Sequence, residues 1–276
     1  MIAAAVGLGA VYALVWRRRR RWLGRVRRAC GRVGPRHPVV LLHGLLGFDE
    51  LAIGPARVAY FRGLTERIQR VGLDVHRPRV ARTAAVAVRA GQLVRRIEQL
   101  SAKRVNIIAH SMGGLDARYA IAKLGLSERV ASLVTIATPH RGTPLADIGS
   151  HLLGETLRLR RVLATLGMDV AAFYDLTTPR MAAFNDEVND SRGVWYASVV
   201  GHASGRGVHP LLWPTHRILS ERGGPNDGLV PLASQAWGEV VAEIEADHWA
   251  QIGWSRHFDA AELFEELLRE LRANGF

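Results

Sequence analysis

Val39–Leu42 reads VVLL and runs straight into His43-Gly44. An unbroken apolar run of strand length is the texture of a strand covered on both faces, as in a parallel sheet between helices. The same texture returns in RVNIIAH (104–110) and VASLVTIATP (130–139). Further strand signals stand at GLDVHRP (72–78), VWYASVVG (194–201) and EVVAEIEA (239–246). Val86, Ala90, Leu93, Val94, Ile97 and Leu100 recur at helical spacing, and the residues after Met112 and Asp259–Leu271 also read as helices. Strand and helix alternate. That predicts an α/β fold with a mostly parallel central sheet and helices on both faces.

Length and composition suit one such body: 276 residues, 48% of them apolar, are enough for a large core. The single cysteine, Cys30, can form no internal disulfide, so nothing points to a disulfide-stapled secreted fold. The charge is uneven. The chain carries +12, but residues 1–36 hold ten arginines and no acid, which leaves about +2 for residues 37–276. A nucleic-acid binder needs a basic face on its folded body, so no nucleic-acid partner is expected. Protein partners are not specified.

Ile2–Trp16 is uncharged for 15 residues and is followed by RRRRR. Charge after the apolar run, and arginines where cleavage would fall, do not fit a signal peptide. The expected division is a membrane anchor with a basic juxtamembrane segment in 1–36, then the folded body in 37–276. As a helix the run would span about 22 Å against a hydrocarbon core of about 30 Å, with Trp16, Trp22 and the arginines extending its reach. Positive charge stays on the cytoplasmic side, so the body is expected to face the cytoplasm. A disordered basic tail is the alternative.

Residues 107–114 read IIAHSMGG. Ser111 stands where a buried strand turns into a helix, with small residues on both sides. The pattern Ala109-His110-Ser111-Met112-Gly113 resembles the G-x-S-x-G nucleophile elbow of the α/β-hydrolases, with alanine in place of the first glycine. A serine N-cap at an ordinary turn is the bland alternative. Other segments bear on the choice. HGLLGFDE (43–50) follows the first strand, and TIATPHRGTPLAD (135–147) follows the fourth. LTTPRMAAFNDE (176–187), PNDGLVP (225–231) and ADHWAQIG (246–253) come later. In this order they resemble the true lipases of the Pseudomonas and Burkholderia type, over about Pro38–Trp254.

The resemblance implies Ser111 as nucleophile, Asp227 as acid and His248 as base. It implies the backbone amides of Leu45 and Met112 as the oxyanion hole. The chemistry agrees, since a serine needs a base and the base needs a carboxylate to fix its tautomer. Asp247, Asp175 and Asp147 are rival acids, and His257 is a rival base. His110 and His140 read as pocket wall, and His43 as a brace for its loop. Residues 145–190 stand where these lipases carry a helical lid. Leucines 145, 152, 153, 157, 159, 163 and 166 crowd it beside arginines 158, 160 and 161.

The expected activity is therefore a serine carboxylic ester hydrolase of lipid esters, with triacylglycerol lipase the first choice. Another lipid esterase, phospholipase or thioesterase is the alternative, and a non-catalytic lipid- or partner-binding relative is a different class. No cofactor is expected. The family's structural calcium is expected to be absent. Ala250 and Trp254 stand where it has an aspartate and a glutamine, and Val208–Leu219 holds no acid.

Overall fold

The computed structural model describes residues 35–47, 50–53, 56–70, 72–155 and 170–276. Strands β1 (Val39–Leu42), β2 (Glu50–Ile53) and β3 (Ala56–Ala59) lead to helix α1 (Leu64–Arg70). Strand β4 (Val75–His76), helix α2 (Val86–Glu98), strand β5 (Val105–His110) and helix α3 (Gly113–Lys123) follow. Strand β6 (Val130–Ile136) precedes helices α4 (Pro144–Glu155), α5 (Ala171–Asp175) and α6 (Thr178–Glu187). Strand β7 (Trp195–His202), helices α7 (Trp213–Gly223) and α8 (Leu232–Gln235), strand β8 (Glu239–Glu245) and helix α9 (Ala260–Ala273) complete the order.

Six strands form one sheet in the order β4-β1-β5-β6-β7-β8, and every pairing in it is parallel. Successive residues of each strand face opposite sides. Val39, Leu41, Ile108, Val134 and Ile136 pack against Leu64 and Ile68 of α1 and Phe264, Leu267 and Leu268 of α9. Val40, Leu42, Ile107, Ala109 and Leu133 pack against Ala90, Leu93 and Ile97 of α2 and Ala117, Ala120 and Ile121 of α3. Both faces are apolar because both are covered. That is why β1, β5 and β6 read as unbroken runs.

Two features differ from the sequence expectation. The strand expected over 72–78 shortens to Val75–His76, since Pro78 has no N–H to extend the ladder. Residues 50–59, where the sequence patterning predicts no strand, hold the antiparallel pair β2–β3.

The membrane-anchored localisation expected from residues 1–36 is corrected. No helix among the described residues is long and apolar enough to cross a membrane. The run Ile2–Trp16 itself lies outside them. At about 22 Å as a helix it also falls short of the hydrocarbon core. Of the expected lid, α4, α5 and α6 are described, while residues 156–169 lie outside the described residues.

Candidate active site

A parallel sheet gathers its loops at the carboxyl ends of its strands. Ser111 follows β5 directly and has φ +56°, a left-handed conformation that costs energy for a residue with a Cβ. Its backbone is held on both sides. Ser111 N–H donates to the Ile136 carbonyl at 2.9 Å, and Thr138 Oγ1 donates to the Ser111 carbonyl at 2.7 Å. The small neighbours have a steric reason. A Cβ on Gly113 would lie 2.8 Å from the His43 carbonyl oxygen. One on Gly44 would lie 2.6 Å from Ser111 Cβ and 3.1 Å from its Oγ. The loop after β1 thus lies directly against Ser111, and only glycine allows that approach.

The amides of this loop divide sharply. Gly44 N–H donates to Tyr60 Oη at 3.2 Å, and Leu46 N–H donates to the Arg82 carbonyl at 2.7 Å. Among the described residues nothing engages the amides of Leu45 or Met112. Met112 is the N-cap of α3, so its amide also stands at the positive end of a helix dipole.

Asp227 and His248 meet as expected. His248 Nδ1–H donates to Asp227 Oδ2 at 2.8 Å, and both residues are buried. Asp227 Oδ1 accepts the amides of Leu229 and Val230 at 2.9 and 2.8 Å. That leaves Oδ2 aimed at the imidazole. The His248 ring lies 4.5 Å, centroid to centroid, from that of His110, the residue before Ser111.

The rivals are occupied elsewhere. Asp147 accepts from the Thr178 amide and hydroxyl at the start of α6, and Asp175 accepts the Val86 amide at the start of α2. Asp247 turns its own loop, accepting from Trp249, Ala250 and His209 amides. His257 is exposed. His110 and His140 are not wall residues of an open pocket, because both are fully buried. His43 does brace its loop, with Nδ1 3.0 Å from the Gly44 carbonyl oxygen.

Sequence reasoning missed Arg89. Its guanidinium is fully buried and pairs with Asp116 of α3 at 2.7 Å. It also donates to the carbonyls of Ala81, His43 (2.9 Å) and Gly44 (3.3 Å). Arg89 therefore ties the loop of Leu45 to the helix that follows Ser111. Its helical phase, between Val86 and Leu93 on the apolar face, was the available signal.

The strained Ser111 elbow after β5 and the buried Asp227–His248 pair lie at the carboxyl ends of one parallel sheet, and this is the fold of an α/β-hydrolase. A family profile described as a PGAP1-like alpha/beta domain matches residues 87–158. Triacylglycerol lipase 2 of Saccharomyces cerevisiae is 30% identical over 268 residues, covering 80% of this chain and 81% of that protein. A triacylglycerol lipase of Pseudomonas fragi is 28% identical over 300 residues, covering 88% of this chain and 98% of the other. Among solved structures, a metagenomic carboxyl esterase superposes with TM-score 0.73 at 21% identity, over 88% of this chain and 78% of that one. Staphylococcus hyicus lipase superposes with TM-score 0.68 at 18% identity, over 87% and 97%. The chain belongs to the triacylglycerol lipase family, and with it to the carboxylic ester hydrolases that act on lipid esters.

Proposed function

We propose that this protein hydrolyses triacylglycerol esters through an acyl-enzyme on Ser111. The observation that carries the reading is the buried His248–Asp227 pair, at 2.8 Å, beside the strained Ser111 elbow. In this reading His248 takes the Ser111 proton as the hydroxyl oxygen attacks the ester carbonyl carbon. The oxyanion is received by the amides of Leu45 and Met112. The alcohol leaves with the proton from His248, and water then repeats the sequence on the acyl-enzyme. Asp227 keeps the imidazole in the tautomer whose Nε2 is free to accept. In this reading helices α4, α5 and α6, about residues 145–190, act as the cap over the acyl chain, and residues 37–276 form the catalytic domain.

No metal enters the mechanism. The residues around the histidine loop also fit calcium poorly. Asp247 is the acid beside His248, and three backbone amides already use its two oxygens.

The reading predicts that a fluorophosphonate probe labels Ser111. Ser111→Ala and His248→Ala should each abolish labelling and lower turnover by about 10⁶-fold. Labelling that survives in Ser111→Ala overturns the assignment. A panel of triacylglycerols of graded chain length, with a phospholipid and an acyl thioester beside them, separates lipase from phospholipase or thioesterase activity.

A further inference from the structure

The Leu45 loop, Ser111 and His248 come from the ends of three strands. Their mutual placement must hold to roughly 0.5 Å for catalysis to survive. One polar chain crosses all three. Gly44 N–H donates to Tyr60 Oη at 3.2 Å. Tyr60 Oη lies 2.8 Å from His110 Nδ1. His110 Nε2 lies 3.1 Å from the carbonyl oxygen of His248.

The direction of each bond follows by elimination. A carbonyl oxygen can only accept, so His110 Nε2 carries a hydrogen. Burial first, and then the neighbouring His248, hold the His110 imidazole well below its ordinary value, so the ring is neutral. Nδ1 is therefore bare and accepts the Tyr60 hydroxyl. The Tyr60 oxygen keeps lone pairs for the Gly44 amide. Every donor meets an acceptor from one end to the other.

Both ends of the chain reach a backbone that matters. On one side, the Gly44 amide adjoins the peptide that presents Leu45 N–H. On the other, the His248 carbonyl is gripped by His110, while the His248 amide donates to the Asp227 carbonyl at 2.8 Å. Tyr60 is itself fixed. Its carbonyl accepts Trp254 Nε1–H at 2.8 Å, and its ring stands edge-on to His43 and His110 at 5.8 and 5.7 Å.

We propose that Tyr60 and His110 are positioning residues that hold the oxyanion loop and the base loop in register with the Ser111 elbow. The proposal rests on the roles given above to Ser111, His248 and Leu45. In this proposal both side chains act through the backbones they hold. Tyr60 sets the direction of the Leu45 amide through Gly44. His110 sets the height of the imidazole over Ser111 through the His248 backbone.

The test is active-site titration with a p-nitrophenyl ester, which counts competent sites, joined to the acylation rate per titrated site. Tyr60→Phe keeps the ring and removes the hydroxyl. His110→Leu removes both bonds, and His110→Gln restores a donor near the Nε2 position. We expect Tyr60→Phe and His110→Leu to lower acylation per site by about 10- to 10²-fold. KM should stay within about two-fold of wild type in both. His110→Gln should recover part of the loss, and the double variant Tyr60→Phe/His110→Leu should be no worse than the poorer single change. An unchanged acylation rate per site in Tyr60→Phe, with only a lowered Tm, overturns the proposal and leaves a structural role. Should His110→Leu not fold, Tyr60→Phe decides alone. A wild type with no burst, or a burst that survives Ser111→Ala, overturns the nucleophile assignment and this proposal with it.

Discussion

Arg89 has no exposed surface, yet it carries a full charge beneath the loop of Leu45. A buried cation is tolerable only when a carboxylate and further acceptors surround it, and Asp116 with three carbonyls supplies both. Removing one partner strands the other. Arg89→Met should therefore destabilise the fold by about 3–5 kcal/mol, because Asp116 is left charged or must take up a proton. The loss should be largely recovered in Arg89→Met/Asp116→Leu, which strands no charge. Urea unfolding of the three proteins checks this, and equal stability of wild type and Arg89→Met would refute it. Turnover should not recover in the double variant, since the His43 and Gly44 carbonyls still lack their guanidinium. Stability and catalysis separate at this residue.

The loop from β8 to α9 is held by side chains to a degree that sequence alone left partly open. Trp254 stands where the family places a calcium ligand, and its indole N–H holds the Tyr60 carbonyl at 2.8 Å. Trp249 packs beside Ala203, Val208 and Leu212 and meets His209 edge-on. Asp247 fastens three amides. With these contacts in place, EDTA should leave Tm and the esterase rate unchanged. A fall of several degrees, reversed by added Ca²⁺, would show that a cation holds this loop. The strands, the elbow and the Asp227–His248 pair were legible because local rules govern them: unbroken apolar runs, a small-residue corner, motif order. The β2–β3 pair was not, because its strands answer to each other and not to the main sheet. Arg89 and Tyr60 were not legible as parts of the site either. A charged residue on an apolar helix face and a tyrosine beside Phe61 acquire their roles from partners far off in the chain, Asp116 at 27 positions from Arg89 and His110 at 50 from Tyr60.

Buried ionisable groups couple the whole fold to pH. His110 and His140 are both held well below the ordinary imidazole value, His110 by burial and then His248, His140 by burial and then Arg118 and Arg141. In the unfolded chain each returns to 6.5, so below that pH the unfolded state binds two protons that the folded state refuses. Stability is then lost as pH falls through 6.5. Asp116 works the other way. Burial raises it from 3.8 to about 6 against the pull of Arg89, so between those values the folded state holds the extra proton. His37, lowered, and Glu266, raised, oppose each other and are more exposed, so solvent screens both. Two protons against one leave one in favour of the unfolded state. Stability therefore falls as the pH drops below 6.5. Urea unfolding should therefore give a lower free energy at pH 5 than at pH 7.5. His140→Gln removes one of the two imidazoles while leaving polar atoms for Arg118 and Thr135, so it should lose less stability than wild type on the same acidification. A wild type whose stability is constant or rises on acidification would show that the two histidines accept protons in the folded state. The neutral His110 on which the Gly44–Tyr60–His110–His248 chain depends would then be lost as well.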